Sequence, residues 1–513
     1  MKSLLKAIKQ HPLRSLLLFC IVVVASYFRL WELPQTVHFM GDQGRDALVV
    51  SRIFTDADLV FVGPVTSIGN MYLGPFYYYF MLPFLWLTYP SPLGPVYAVA
   101  LVNIATIFLL YFWGRMLVGE RGGLIAAGLM AFSTMSIALS RFSWNPNIVP
   151  FFSLAMVVAT YQAWKKDPRY WSVVAVCFGI LLQLHYVTLL AAAAAGVIWF
   201  WQLLSLKKDP ARHKVLIKAT IIGLGIWLLM LTPLFLFDMK HNWLNAHALG
   251  KIIFKEESFI RNDTTLIKTI KVDALNIVQR TKYIILDSSV VESKGFSPFI
   301  IVILLVIFLW QFRLSFKKKK LPRGPLVIGV YLTIGILGLS FYQHDVYDHY
   351  IAYLFPVVFL FLGFCLDKLF SLPKIGWLIV ATILGWYGYA NLQHLVFKSS
   401  GPSQSELRLT ASSIHQRVTP NEPYAIVLLS ESKDLYGMNY RYFLSTDQSK
   451  RPVDPEHNNQ ADKLFIINEE QKTDTPQDLP IYEIVMFANK TPVEVYRLPQ
   501  GISVTVLSKA GQP

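Results

Sequence analysis

Charge is what this sequence has least of. Only 15% of its 513 residues are Asp, Glu, Lys or Arg, where a soluble domain carries about a quarter. A chain folded wholly in water is therefore excluded. Cysteine is almost missing as well: Cys20, Cys177 and Cys365 each lie inside an apolar run. They have neither metal-site spacing nor an evident disulfide partner, and read as packing residues. Acidic residues are fewer than basic ones, 32 against 47, leaving a net charge of +15. That excess invites a nucleic-acid partner. The basic residues cluster in short loops between apolar runs, however, as the positive-inside rule expects, so nucleic acid is not expected. No short repeat, low-complexity tract or two-halved pattern is evident.

What the sequence does have is apolar length: 54% of it is hydrophobic. Lys2, Lys6 and Lys9 precede, and Arg14 opens, a run from Leu13 to Trp31 that is long enough to span and lacks a small-residue cleavage site. It reads as a retained first helix. Further spans are expected at Pro95–Met116, Gly122–Leu139, Ile148–Trp164, Trp171–Tyr186, Val187–Leu204, Val215–Phe237, Phe296–Phe312, Leu326–Tyr342, Tyr350–Leu366 and Ile375–Asn391. That makes about eleven. The basic loops, including Lys165-Lys166, Lys207-Lys208 and Lys317 to Lys320, all fall on the side of the N-terminus. This predicts a multi-pass protein of the cell (plasma or inner) membrane with a cytoplasmic N-terminus.

The expected organisation is a transmembrane domain over 1–392, with a long first external loop (32–95), and a soluble extracytoplasmic α/β domain over 393–513. In the loop, Phe76–Leu87 is short and ends in Thr88-Tyr89-Pro90-Ser91-Pro92, which suits a re-entrant or interfacial helix. Its run Phe76-Tyr77-Tyr78-Tyr79-Phe80 fits a headgroup layer. Asp238 to Gly295 reads as a polar loop with helical character at Ile267–Tyr283. In the tail, helices are expected at Ser405–Arg417 and Asp434–Leu444. Strands are expected at Tyr424–Leu429, Leu464–Asn468, Tyr482–Phe487 and Val493–Leu498.

The most pointed stretch is His38-Phe39-Met40-Gly41-Asp42-Gln43-Gly44-Arg45-Asp46-Ala47-Leu48. Asp42 and Asp46 are an i, i+4 pair, so a helix starting here carries both on one face. One reading makes Asp42 an N-cap. Arg45 is not the Glu or Gln of a capping box, so capping explains only part of the stretch. The other reading is a functional carboxylate pair.

On the expected topology, Asp42, Arg45 and Asp46 share the outer side with Arg141, Asn145, Asn147, Gln183, His185, Tyr186, Asp238, His241, His344, Asp345, Asp348 and His349. Each has a bland reading beside the functional one. Arg141 snorkels to the headgroups, Asn145-Pro146 starts a turn, and His185 is a hydrogen-bonded turn residue. His344-Asp345 with Asp348-His349 has a metal-like composition at unspecific spacing; a divalent metal is possible and no ligand set is assigned.

Placed in this order, the elements resemble the polytopic GT-C glycosyltransferases, in particular the branch of protein O-mannosyltransferases and the lipid A aminoarabinose transferase. The likeness runs from the N-terminus to about Asn391. The family's first external loop carries an Asp-Glu motif; here Asp42-Gln43 stands in its place, with Asp46 able to substitute for the missing carboxylate. Asn145-Pro146 stands where the family has Asp-Pro. Tyr72-Leu73-Gly74-Pro75-Phe76 stands in for Lys-Pro-Pro-Leu, without the lysine.

The resemblance implies an integral-membrane glycosyltransferase. It would move a sugar from a polyprenyl-phosphate donor to a lipid, glycan or protein acceptor at the outer membrane face. Asp42 would then be the base or acceptor-aligning carboxylate, with inversion as the outcome. Arg45 and Arg141, or His185 and His349, would meet the leaving phosphate. Asn145, Tyr186 and Asp345 would complete the substrate site. Two rival readings are a secondary transporter coupled through Asp42 and Asp46 and a non-catalytic membrane scaffold.

Overall fold

The structure, a computed structural model, describes residues 11–509 apart from 38, 67–70, 255–265, 287–290, 292–297, 318–321, 343–345, 396, 398–400, 433, 472 and 488. Of the sequence-singled residues, His38, His344 and Asp345 lie outside the described residues, as do Lys2, Lys6, Lys9 and three of the four lysines of the most basic loop. In chain order the helices are α1 (Pro12–Leu30), α2 (Gly41–Thr55), α3 (Phe76–Thr88), α4 (Leu93–Val118), α5 (Glu120–Phe132), α6 (Thr134–Leu139), α7 (Val149–Lys165), α8 (Tyr170–Leu184) and α9 (Leu189–Ser205). There follow α10 (Pro210–Lys240), α11 (Leu244–Phe254), α12 (Leu266–Ile285), α13 (Pro298–Lys317), α14 (Arg323–Leu339), α15 (Phe355–Phe370), α16 (Gly376–Leu392), α17 (Gln404–His415) and α18 (Met438–Leu444).

Each of the eleven expected spans meets helix. Among the described residues, Pro12–Leu30, Leu93–Val118, Tyr186–Lys208, Pro210–Lys240 and Asp348–Phe370 are long and apolar enough to cross a membrane. The molecule is a multi-pass membrane protein. On α10, Ile221, Leu224, Leu228 and Leu229 are exposed, an apolar surface that only lipid covers without cost.

Two expectations for the membrane part need correction. The run Gly122–Leu139 is not one helix: it breaks at Ser133, whose backbone is extended and whose hydroxyl accepts from Ser136 N (3.2 Å) while donating to Ile284 O (2.7 Å). A serine that can cap and also reach a neighbouring carbonyl competes with helix continuation. Asp238, expected in a loop, belongs to the last turn of α10. There its carboxylate takes the backbone N–H of Asn245 (2.6 Å) and Ala246 (3.1 Å), so it caps the start of α11.

The chain packs as two compact units, one comprising Met1–Trp31, Val60–Tyr77 and Tyr97–Val396, the other Glu32–Leu59, Tyr78–Val96 and Phe397–Pro513. Contacts therefore group most of the first external loop with the tail, although hundreds of residues separate them in sequence. The second unit contains a four-stranded sheet of order β1-β2-β4-β3, built from β1 (Tyr424–Leu429), β2 (Lys463–Asn468), β3 (Pro492–Arg497) and β4 (Ser503–Ser508). β1 and β2 are parallel, in the register Tyr424↔Lys463, and α18 lies in the crossover between them, as parallel pairing requires. β4 pairs antiparallel with both β2 and β3. The β3–β4 turn closes at Gly501, whose φ of +94° favours glycine.

Tyr482–Phe487 is not a strand; Tyr482–Val485 makes a single helical turn, with Ile484 buried and Val485 N bonded to Ile481 O. β4 was missed in the sequence, although Val504, Val506 and Leu507 are buried. α17 opens with a full capping box: Ser403 N donates to Glu406 Oε2 (2.6 Å), and Glu406 N donates to Ser403 Oγ (3.3 Å).

Within this unit α2 lies against α18 at backbone distance. A Cβ on Gly44 would meet the Cα and N of Asn439 at 2.4 Å, whereas one on Gly41 would meet the side chain of Asp434. Phe39 packs edge-on against Tyr442 and Phe443, and Asn439 Nδ2 donates to Phe39 O (3.3 Å). Gly44→Ala must push two backbones apart, a change expected to destabilise by about 1–3 kcal/mol. Gly41→Ala displaces only a side chain and should cost less. Thermal melts of the two variants in detergent check the order; equal melting temperatures would remove the close-packing argument.

Candidate active site

α2 begins two residues earlier than the capping reading supposed. The N-cap is Met40, and Gln43, at the third helical position, accepts a hydrogen bond from Met40 N at 2.9 Å through Oε1. The glutamine that replaces the family's glutamate is thus a helix-start residue, and Asp42 sits free of that duty in the first turn. A carboxylate there is favoured by the helix dipole.

Asp42, Arg45 and Asp46 come together as the i, i+4 spacing predicted. Arg45 Nη1 donates to Asp42 Oδ1 (2.9 Å), while Nε and Nη2 both donate to Asp46 Oδ1 (3.0 and 2.8 Å). Tyr78 OH donates to the same Asp46 oxygen at 3.1 Å. The two carboxylates differ sharply: the Asp46 side chain is fully buried, whereas that of Asp42 is 51% exposed. Burial pushes the Asp46 carboxyl above its ordinary pKa, and Arg45 pulls against that shift. Asp46 Oδ2 is buried with no hydrogen-bond partner. The Asp56–Asp58 cluster lies past the other end of α2. It lines a cleft of about 470 Å³ in which Arg52 and Arg451 are already paired with Asp454 and Asp56.

The first unit holds the remaining candidates. Asn145 is buried and donates through Nδ2 to Leu184 O (2.6 Å), tying its 3-10 turn to the C-terminal end of α8. His185 follows that end and accepts Val187 N on Nδ1 (3.3 Å). Its ring meets His349 (5.5 Å) and Tyr350 (4.9 Å), and His349 lies 4.5 Å from Trp144. Asn145, His185 and His349 are thus brought together around an aromatic cluster. Tyr186 OH donates to Tyr72 O, a carbonyl that Asn245 Nδ2 also reaches (3.3 Å). Tyr186 therefore pins the Tyr72 segment. Among the described residues no group of three or more His, Cys, Asp or Glu is placed to hold a metal ion.

Arg141 does not snorkel. It is 7% exposed, and its Nη1 and Nη2 donate to Phe28 O (2.8 Å) and Trp31 O (2.7 Å) at the end of α1. The sequence reading missed its counterpart, Arg29. That residue is fully buried in the last turn of α1 and donates to Met130 O (3.2 Å), Ala131 O (3.3 Å) and Ser136 Oγ (3.0 Å). Arg141 binds the carbonyl end of the helix that carries Arg29, and Arg29 binds the carbonyl end of α5, the favoured place for a cation. An arginine in the last turn of an apolar run was the available signal.

Arg280 on α12 was also missed. It pairs with Asp348 (3.3 Å) beside His349, and its polar, low-contrast segment gave no warning. Removing either clamp arginine strands buried carbonyls, at about 1–3 kcal/mol each. Arg29→Ala and Arg141→Ala should both melt at lower temperature. A single-carbonyl donor cannot replace the fork, so Arg141→Lys should recover little. Wild-type melting in Arg141→Lys would show that charge alone suffices.

No known family profile matches the chain, and no curated protein matches it. Solved structures do. ArnT from Cupriavidus metallidurans bound to undecaprenyl phosphate aligns at a TM-score of 0.60 with 11% identity, covering 97% of this chain and 99% of that one. The apo state of that protein aligns at 0.58 with 12% identity, covering 97% and 98%. The archaeal oligosaccharyltransferase AglB from Archaeoglobus fulgidus, in complex with an inhibitory peptide and a dolichol-phosphate, aligns at 0.51 with 12% identity, covering 99% of this chain and 75% of that one. Likeness at these identities speaks of architecture alone, and the architecture is GT-C-like: a polytopic helical membrane protein with a small C-terminal domain.

Proposed function

We propose that the chain is an integral-membrane glycosyltransferase. It takes a sugar from a polyprenyl-phosphate donor and passes it, with inversion, to a lipid, glycan or protein acceptor at the outer membrane face. The observation that carries this reading is the asymmetry of the two carboxylates. Asp42 is exposed, with Oδ1 held by Arg45, so Oδ2 faces the task of a general base. The fold adds support, since two neighbours that share it hold a polyprenyl phosphate.

In this reaction Asp42 accepts the acceptor hydroxyl's proton as that oxygen attacks the anomeric carbon. The carbon–oxygen bond to the lipid phosphate breaks on the opposite face. Arg45 lies between two carboxylates, so its charge is already balanced and it serves Asp42 more than the phosphate. Asn145, His185, Tyr186 and His349 belong to the substrate site in this reading, as does Asp345, and Arg141 holds α1. A coupled carrier would instead set its ionisable groups near the membrane centre.

Asp42→Asn should insert and fold normally, yet lose about 10²–10⁴-fold in transfer rate. The assay is consumption of each member of a panel of polyprenyl-phosphate sugars by washed membranes. Near-normal transfer by that variant sinks the assignment. The sidedness is checked separately: a reporter fused after Asn391 should be accessible only from outside the cell, and cytoplasmic accessibility would reverse the topology.

A further inference from the structure

Tyr78 takes no part in the transfer just described, yet it makes a specific polar contact next to it. It is 3% exposed on α3, in an aromatic run expected at the headgroup layer. A buried phenol needs a partner, and Tyr78 donates to Asp46 Oδ1 at 3.1 Å. That oxygen also takes the Nε and Nη2 donors of Arg45. Three donors therefore converge on one oxygen of a fully buried carboxylate.

The guanidinium is planar and rigid. Fixing its Nε/Nη2 edge on Asp46 fixes the direction of Nη1, the nitrogen that holds Asp42 Oδ1 at 2.9 Å. Asp46 alone leaves the plane able to rock about one oxygen; the Tyr78 hydroxyl adds a third direction from a separate helix.

We infer that Tyr78 is a positioning residue: acting through Asp46 and Arg45, it sets the aim of the Asp42 carboxylate. The role rests on the reading of Asp42 as the base, though the linkage itself is testable without turnover. Four groups surround the linkage: Arg45 and Asp46 on α2, Tyr78 on α3, and Asp434 ahead of α18. Asp434 is engaged by Met438 N at 2.8 Å and is untouched by the variants below.

Tyr78→Phe keeps the ring and removes only the hydroxyl. With Arg45 held less firmly, its contact with Asp42 should weaken, so the stability losses of Tyr78→Phe and Asp42→Asn should not add. A thermal double-mutant cycle of the two variants, in full-length protein in detergent, reads that coupling. Asp46→Asn removes the anchor itself and should be coupled to Asp42→Asn as well. Tyr78→Phe should also lower kcat for transfer by about ten- to a hundredfold, in keeping with the cost of misaligning a reacting group. Donor KM should be nearly unchanged.

Additive losses in that cycle overturn the inference, whether or not sugar is transferred. Non-additive losses support the linkage, even if no polyprenyl-phosphate sugar is consumed by the wild type. In that last case the glycosyltransferase reading falls and the linkage stands.

Discussion

A buried guanidinium must find acceptors for its donors, and much of this molecule is arranged to meet that demand. With so few charges in the chain, those placed inside are conspicuous. Arg29 and Arg141 bind the carbonyl ends of helical segments in the first unit. Arg45 lies between two carboxylates in the second. Arg441, 2% exposed, donates to Tyr436 O (2.8 Å) and Val453 O beneath the crossover of the sheet. None of the four is replaceable by a point charge, because each contacts two or more acceptors in different directions.

The Arg45 arrangement differs from the others in one respect. Its acceptors are carboxylates of unequal exposure, so a structural ion pair and a solvent-facing carboxylate share one cation. A buried ion pair by itself contributes little net stability. Here it fixes the geometry of the exposed neighbour, which suits a site where orientation matters more than affinity.

The membrane part was legible in the sequence because lipid imposes long apolar runs that nothing else requires. The i, i+4 placement of Asp42 and Asp46 was legible for an equally simple reason, the pitch of a helix. Start and stop signals were less legible. Gln43 caps α2 from Met40, a residue whose side chain offers no capping cue, and Ser133 breaks a run whose composition reads as continuous. Tyr482–Phe487 alternates in a way that serves a strand or a helical turn equally well. Roles that depend on distant partners escaped altogether. Nothing local separates Tyr78 from Tyr79, or assigns Arg29 to the carbonyls of residues a hundred positions away. The glycines of the Asp42 motif are a similar case: Gly44 is small because of Asn439, which no local pattern reveals.

That last contact bears on how the molecule is made. Phe39 and Asn439, which bond across the α2–α18 seam, are 400 residues apart in sequence. At ordinary rates of synthesis, an interval on the order of tens of seconds separates the appearance of the first from that of the second. Throughout that interval α2 lacks the backbone against which Gly44 packs. The carboxylate helix is thus among the first parts of the chain to be translated and among the last to reach its native surroundings. The α2–α18 seam closes only after the tail has been made, a delay written into the order of the segments.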